Sequence, residues 1–116
     1  MTCILRVTAP GIAAAVQVVS LKPYRLEGDT AHFDVSKAGF GDVSSSIADA
    51  IDFLRREKAS VDALMALPSS AGWLDFGVEN PNEPAQFQRL SPELVCLAGK
   101  AGLGLELSLY IIGEPQ

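Results

Sequence analysis

The sequence predicts an α+β fold of two layers: a mixed, mostly antiparallel sheet with helices packed on one face. Three observations carry that expectation. At least four segments alternate apolar and polar residues, the period of a strand that buries one face. Between them, apolar residues recur at helical spacing. Ser91-Pro92-Glu93 joins an N-cap serine, a proline at the first helical position and an acid at the positive helix end, so a helix begins there. The expected order is β-α-β-β-α(α)-β-(β)-α-β in a single domain over 1–116, with 113–116 as a short tail.

Cys3, Leu5 and Val7 point one way along the first strand, and Arg6 and Thr8 the other. Pro10-Gly11 ends it. Ile12, Ala15, Val16 and Val19 then recur at helical spacing, although β-branched residues weaken that helix. Tyr24 to Glu27 and His32 to Val35 read as a hairpin turning at Gly28-Asp29-Thr30. Phe33 and Val35 face inward, and His32 and Asp34 outward.

Asp42 or Ser44 can cap the next helix. Ile47, Ala50, Ile51 and Leu54 form its apolar face, which fails at Glu57-Lys58. Val61, Leu64 and Met65 begin a new face with Ser60 as its cap, so the expectation is one helix kinked near Lys58 or two in succession, stopped by Pro68. Leu74, Phe76 and Val78 face the core from the next strand; Trp73, Asp75 and Gly77 face away. Residues 80–84 read as a loop, and Phe87 to Leu90 as a short strand or an extended lead-in. Leu94, Leu97, Ala98 and Ala101 make the last helix's apolar stripe, with Gly102 as its stop. In the closing strand Leu105, Leu107, Leu109 and Ile111 point inward, and Glu106, Ser108 and Tyr110 outward.

The net charge of −5 repels phosphate backbones and anionic lipid, so neither nucleic acid nor membrane is an expected partner. The basic cluster Arg55, Arg56 and Lys58 is interleaved with Asp52, Glu57 and Asp62 and reads as a solvated helix surface. The uncharged run from Val7 to Leu21 falls short of the ~20 residues a membrane span needs and is broken by Pro10-Gly11. Only Arg6 supplies positive charge before it, so no signal peptide is expected and a cytoplasmic protein is. Cys3 and Cys96 read as two separate core thiols, without metal-ligand spacing. Gly39 and Gly41 lack the lysine-serine continuation of a phosphate loop, and Gly99, Gly102 and Gly104 follow a helix instead of opening one. No cofactor or metal is expected.

Three stretches carry a family resemblance. They are Gly11 to Asp29, with a short helix, Ser20-Leu21-Lys22-Pro23 and Gly28-Asp29; Ile47 to Leu67; and Phe87 to Tyr110, a capped helix, a glycine stop and an alternating strand. Together they resemble an uncharacterised bacterial family of small α+β domains, some similar to immunity proteins that neutralise a toxin by binding it. The resemblance implies the fold and a protein partner, and it supplies no catalytic residue. This chain departs from the pattern in the His32 to Asp34 strand, which lacks a tryptophan.

Strand parity places Arg6, Thr8, His32, Asp34, Trp73, Asp75, Glu106, Ser108 and Tyr110 on one uncovered sheet face. A solvated face laced with cross-strand pairs, Arg6 with Glu106 or Asp75, explains these residues plainly. A binding face explains them as well, because tryptophan and tyrosine offer rigid contact area with a polar tip. The expected function is therefore a non-catalytic binding or regulatory module, with Trp73, Asp75, Tyr110, His32, Asp34, Arg6 and Glu106 as binding residues. Two alternatives stay open: a small enzyme using His32 with Asp34 or Asp75, and a structural homodimer that covers the open face.

Overall fold

The computed structural model describes residues 2–39, 41–80 and 88–111. Within them lie β1 (Cys3–Thr8), α1 (Ile12–Ala15), β2 (Arg25–Glu27), β3 (Thr30–Ser36), α2 (Val43–Arg56), α3 (Lys58–Met65), β4 (Ala71–Asn80), α4 (Pro92–Lys100) and β5 (Leu103–Ile111). The sheet order is β2-β3-β1-β4-β5. Every pairing is antiparallel except β4 with β5, which are parallel. This is the mixed α+β sheet the alternation predicts. β2 and β3 are joined by Gly28-Asp29, with Gly28 at φ 55, a backbone region glycine adopts without steric cost. Parallel neighbours cannot be joined by a tight turn, so the chain crosses over through α4 between β4 and β5.

Parity sorts the faces. Cys3, Leu5, Val7, Ala31, Phe33, Leu74, Phe76, Val78 and Leu103 are buried, in one cluster with Ile12, Ala50, Phe53, Leu54, Val61, Leu64, Leu94 and Ala98 from the helices. All four helices thus contribute to a core on one side of the sheet, and the other side carries none of it. Asp42 caps α2 by accepting from the Ser45 amide, and Ser91 caps α4 by accepting from the Leu94 amide. Glu57 separates α2 from α3, so two successive helices form.

The structure corrects several expectations. α1 spans only four residues, in keeping with its β-branched content. Ser60 does not cap α3; it is buried within that helix, where its hydroxyl meets Ser20 and accepts from the Leu21 amide. The buried stripe of α2 runs through Ser46, Ala50, Phe53 and Leu54, with Ile47 and Ile51 half-buried beside it. Cys3 is in the core, but Cys96 is exposed on α4. Residues 88–90 have no regular structure. Asn80, expected to open the 80–84 loop, ends β4 instead; the rest of that loop, Phe87 and the tail at 113–116 lie outside the described residues. Among the described residues no helix is long and apolar enough to cross a membrane.

β5 shows the largest departure. Leu105 is half-buried, yet Leu107 and Leu109 are 41% and 59% exposed. Lengths explain this. Nine residues of helix rise about 14 Å at ~1.5 Å each. Nine residues of strand run about 30 Å at ~3.3 Å each. Returning from α4 through Ala101-Gly102, β5 outruns its cover about halfway along.

Candidate binding face

The uncovered face is a grid fixed by register. One row across β3, β1, β4 and β5 holds His32, Arg6, Trp73 and Gly104; the next holds Asp34, Ile4, Asp75 and Glu106. Ser108 and Tyr110 follow on β5, level with Gly77 and Glu79 of β4. All seven expected binding residues therefore share this side of the sheet: six fall in two groups and Tyr110 stands further along β5.

The first group is built around Asp75 and Trp73. Arg6 donates from one guanidinium nitrogen to Asp75 Oδ2 at 2.7 Å and to Glu106 Oε1 at 3.0 Å, while Ser108 donates to Asp75 Oδ1 at 2.7 Å. Both carboxylate oxygens of Asp75 are thus satisfied, which allows that residue to be only 9% exposed. Next to this chain of bonds, Trp73 lies across Gly104. A Cβ built on Gly104 would fall 2.2 Å from the indole Cζ3 and 2.4 Å from its Cε3. The bare glycine backbone is therefore the shelf on which the ring rests. Trp73 is 49% exposed, held from below and open above.

The second group surrounds His32. Its ring centroid is 6.0 Å from that of Tyr24, and its Nε2 is 3.5 Å from Glu27 Oε1, with no hydrogen-bond partner of its own. Glu27 is paired with Arg25, and Asp34 Oδ2 lies 3.4 Å from Lys37 Nζ. No hydrogen bond joins His32 to Asp34 among the described residues. Asp75 is two strands from His32, roughly 10 Å at the usual strand spacing, and is committed to Arg6 and Ser108. The arrangement a general base requires, an imidazole oriented by a carboxylate, is not assembled here. Cys3 lies under the sheet, where burial, reinforced by Asp75, Asp34 and Asp49, pushes its thiol well above its ordinary value and leaves it inert.

A small apolar hollow of about 80 Å³ sits among α2, α3 and α4, lined by Leu54, Val61, Leu97 and Ala101 with Lys58 and Lys100 at its rim. Among the described residues no group of three or more His, Cys, Asp or Glu could hold a metal ion. The face itself offers one rigid aromatic plane, a tethered arginine and several acids, which suits surface recognition.

Sequence reasoning found the face and the Arg6 pairs. It missed Gly104 as the indole's shelf, Ser108 as the second partner of Asp75, and Tyr24 and Glu27 beside His32. The first two depend on which strands are neighbours, and alternation is silent on that; Tyr24 and Glu27 lay in the expected hairpin, whose register the turn residues alone did not give. Comparison with protein-family models, with curated proteins and with solved structures finds no match to this chain.

Proposed function

We propose that this chain is a non-catalytic binding module that docks a protein partner on its uncovered sheet face. One observation carries the reading: Trp73 stands half exposed on the face that carries none of the described helices, its ring already seated on Gly104. Binding energy at protein interfaces concentrates in such aromatic anchors, and a ring fixed beforehand costs little further ordering on association. Asp75 and Glu106 lie in the next row with Arg6 bonded to both, which leaves one net negative charge beside the ring, so the complementary surface is basic. The finer reading is immunity-like: the module blocks a basic toxin by covering the surface it works with. Arg6 and Asp75 hold the β1–β4–β5 part of the face in shape, and Trp73 and Tyr110 make the contact.

The test is calorimetry against the product of a toxin-like neighbouring gene. Trp73→Ala is expected to weaken the complex by roughly thirtyfold, the magnitude of a central aromatic hot spot. Rising salt is expected to slow association, since the attraction between a basic surface and this acidic face is screened. An unchanged affinity in Trp73→Ala would remove this face from the interface.

A further inference from the structure

We propose that β5 is a self-association strand: two copies of this chain pair antiparallel along their β5 edges, about a two-fold axis through Leu107, into one continuous sheet. This concerns the sheet's edge and does not rest on the docking reading above, which concerns its face.

The first reason is that, among the described residues, β5 is the last strand of the sheet and carries none of the usual safeguards of an edge. β5 runs nine residues in unbroken register with β4, without a bulge, a proline or a lysine. An edge strand of this kind is a template for another strand. Its single charged residue, Glu106, is drawn to Arg6. The second reason is the exposure of Leu107 and Leu109 on the helix side, where α4 has run out. Under two-fold symmetry the uncovered half of each β5 lies beside the half that the other copy's α4 covers. The missing cover on one copy is thus supplied by the other.

The third reason is self-complementarity in one register. Leu107 is the middle residue of β5, so an axis there uses the whole strand. It sets Leu107 opposite Leu107 and Leu105 opposite Leu109 on the helix side. On the other side it sets Glu106 opposite Ser108 and Gly104 opposite Tyr110. Moving the axis to residue 106 would set Glu106 against Glu106, a like-charge pair that opposes pairing. Because Trp73 rests over Gly104, the tyrosine of the second copy would arrive at the rim of the indole. The chain contains one tryptophan, so its emission reports that approach directly.

Sedimentation velocity on the full chain, from micromolar to near-millimolar concentration, reads the equilibrium. A monomer–dimer transition is expected, accompanied by a shift in tryptophan emission. Leu107→Lys places two like charges at the axis and is expected to weaken association roughly tenfold or more while leaving the circular dichroism unchanged. Should that variant fail to fold, Leu109→Lys, at the more exposed position, reads the same contact. In a Cys96→Ser background, Leu107→Cys is expected to form a covalent dimer under mild oxidation, since facing residues lie about 5 Å apart. Leu105→Cys is expected not to, because its two copies would be roughly 14 Å apart. A monomer at every concentration would overturn the proposal. So would a dimer whose affinity is unmoved by both lysine substitutions, or faster cross-linking at 105 than at 107.

Discussion

At one edge of the sheet β2 runs three residues, all exposed, and ends in the Arg25–Glu27 pair at the solvent surface. At the other edge β5 runs nine, in register with β4, with leucines on the helix side exposed beyond the reach of α4. The same sheet thus has one edge too short and too charged to recruit a strand and one with neither safeguard. Each edge also has an arginine–carboxylate pair near it. Arg25–Glu27 is more than half exposed on both sides, whereas Arg6–Asp75 sits where Asp75 has almost left solvent. An ion pair gains little in water and becomes costly to break once its acid is buried and fully bonded. The contrast teaches that β1, β4 and β5 form the structured half of the face and that β2 is an appendage.

That contrast can be broken by mutation. The largest effect is expected from Phe76→Ala on β4, fully buried, which should cost about 3–5 kcal/mol. Leu26→Ala on β2 should stay within about 0.5 kcal/mol, as a surface change does. Urea titration measures both, and similar losses would mean that the two edges contribute alike. Asp75→Ala leaves Ser108 without its acceptor and Arg6 with Glu106 alone, and should cost about 1–3 kcal/mol. Glu27→Ala should again be within about 0.5 kcal/mol. Gly104→Ala pushes its new methyl into the indole, so Trp73 must leave its shelf. The expected outcome is a red-shifted emission with a small change in stability, and an unmoved spectrum would deny the shelf its role.

The smallest effect concerns pH, at the N-terminus of α2. The side-chain hydrogen bond from Ser45, with its amide, holds the Asp42 carboxyl below its ordinary value. A depressed carboxylate stabilises the fold at pH above the unfolded value and loses that contribution as pH falls through the folded one. Asp42→Asn should therefore shallow the acid limb of a stability–pH curve and leave its neutral region nearly unchanged. An identical acid limb in the variant would deny the cap that role.

How far the sequence carried the fold follows from what alternation encodes. A residue two positions along a strand returns to the same side, so Trp73, Tyr110 and His32 could be assigned to one face before any pairing was known. The hairpin at Gly28, the caps at Asp42 and Ser91 and the break at Glu57 were legible for the same reason: each is written within a few neighbouring residues. Features set by distant partners were not legible. Gly104 supports Trp73 only because β5 lies parallel to β4, thirty-one positions away in register. Leu107 and Leu109 have the pattern of core residues, and only the length of α4 leaves them bare. Ser60 has the chemistry of a cap and serves instead as an internal tether for Leu21.

β1 occupies the middle of the sheet, between β3 and β4. Its first neighbour follows after a few tens of residues, but its second arrives only when β4 has been made, with α2 and α3 lying between. During synthesis the first three strands can pair, β3 beside β1 and β2 beyond it, while one whole side of β1 waits for a partner encoded far downstream. Such long-range closure slows folding and lengthens the time a nascent chain is vulnerable to mispairing. Ribosome-bound fragments ending before residue 71 should therefore seek chaperones more readily than those that include β4.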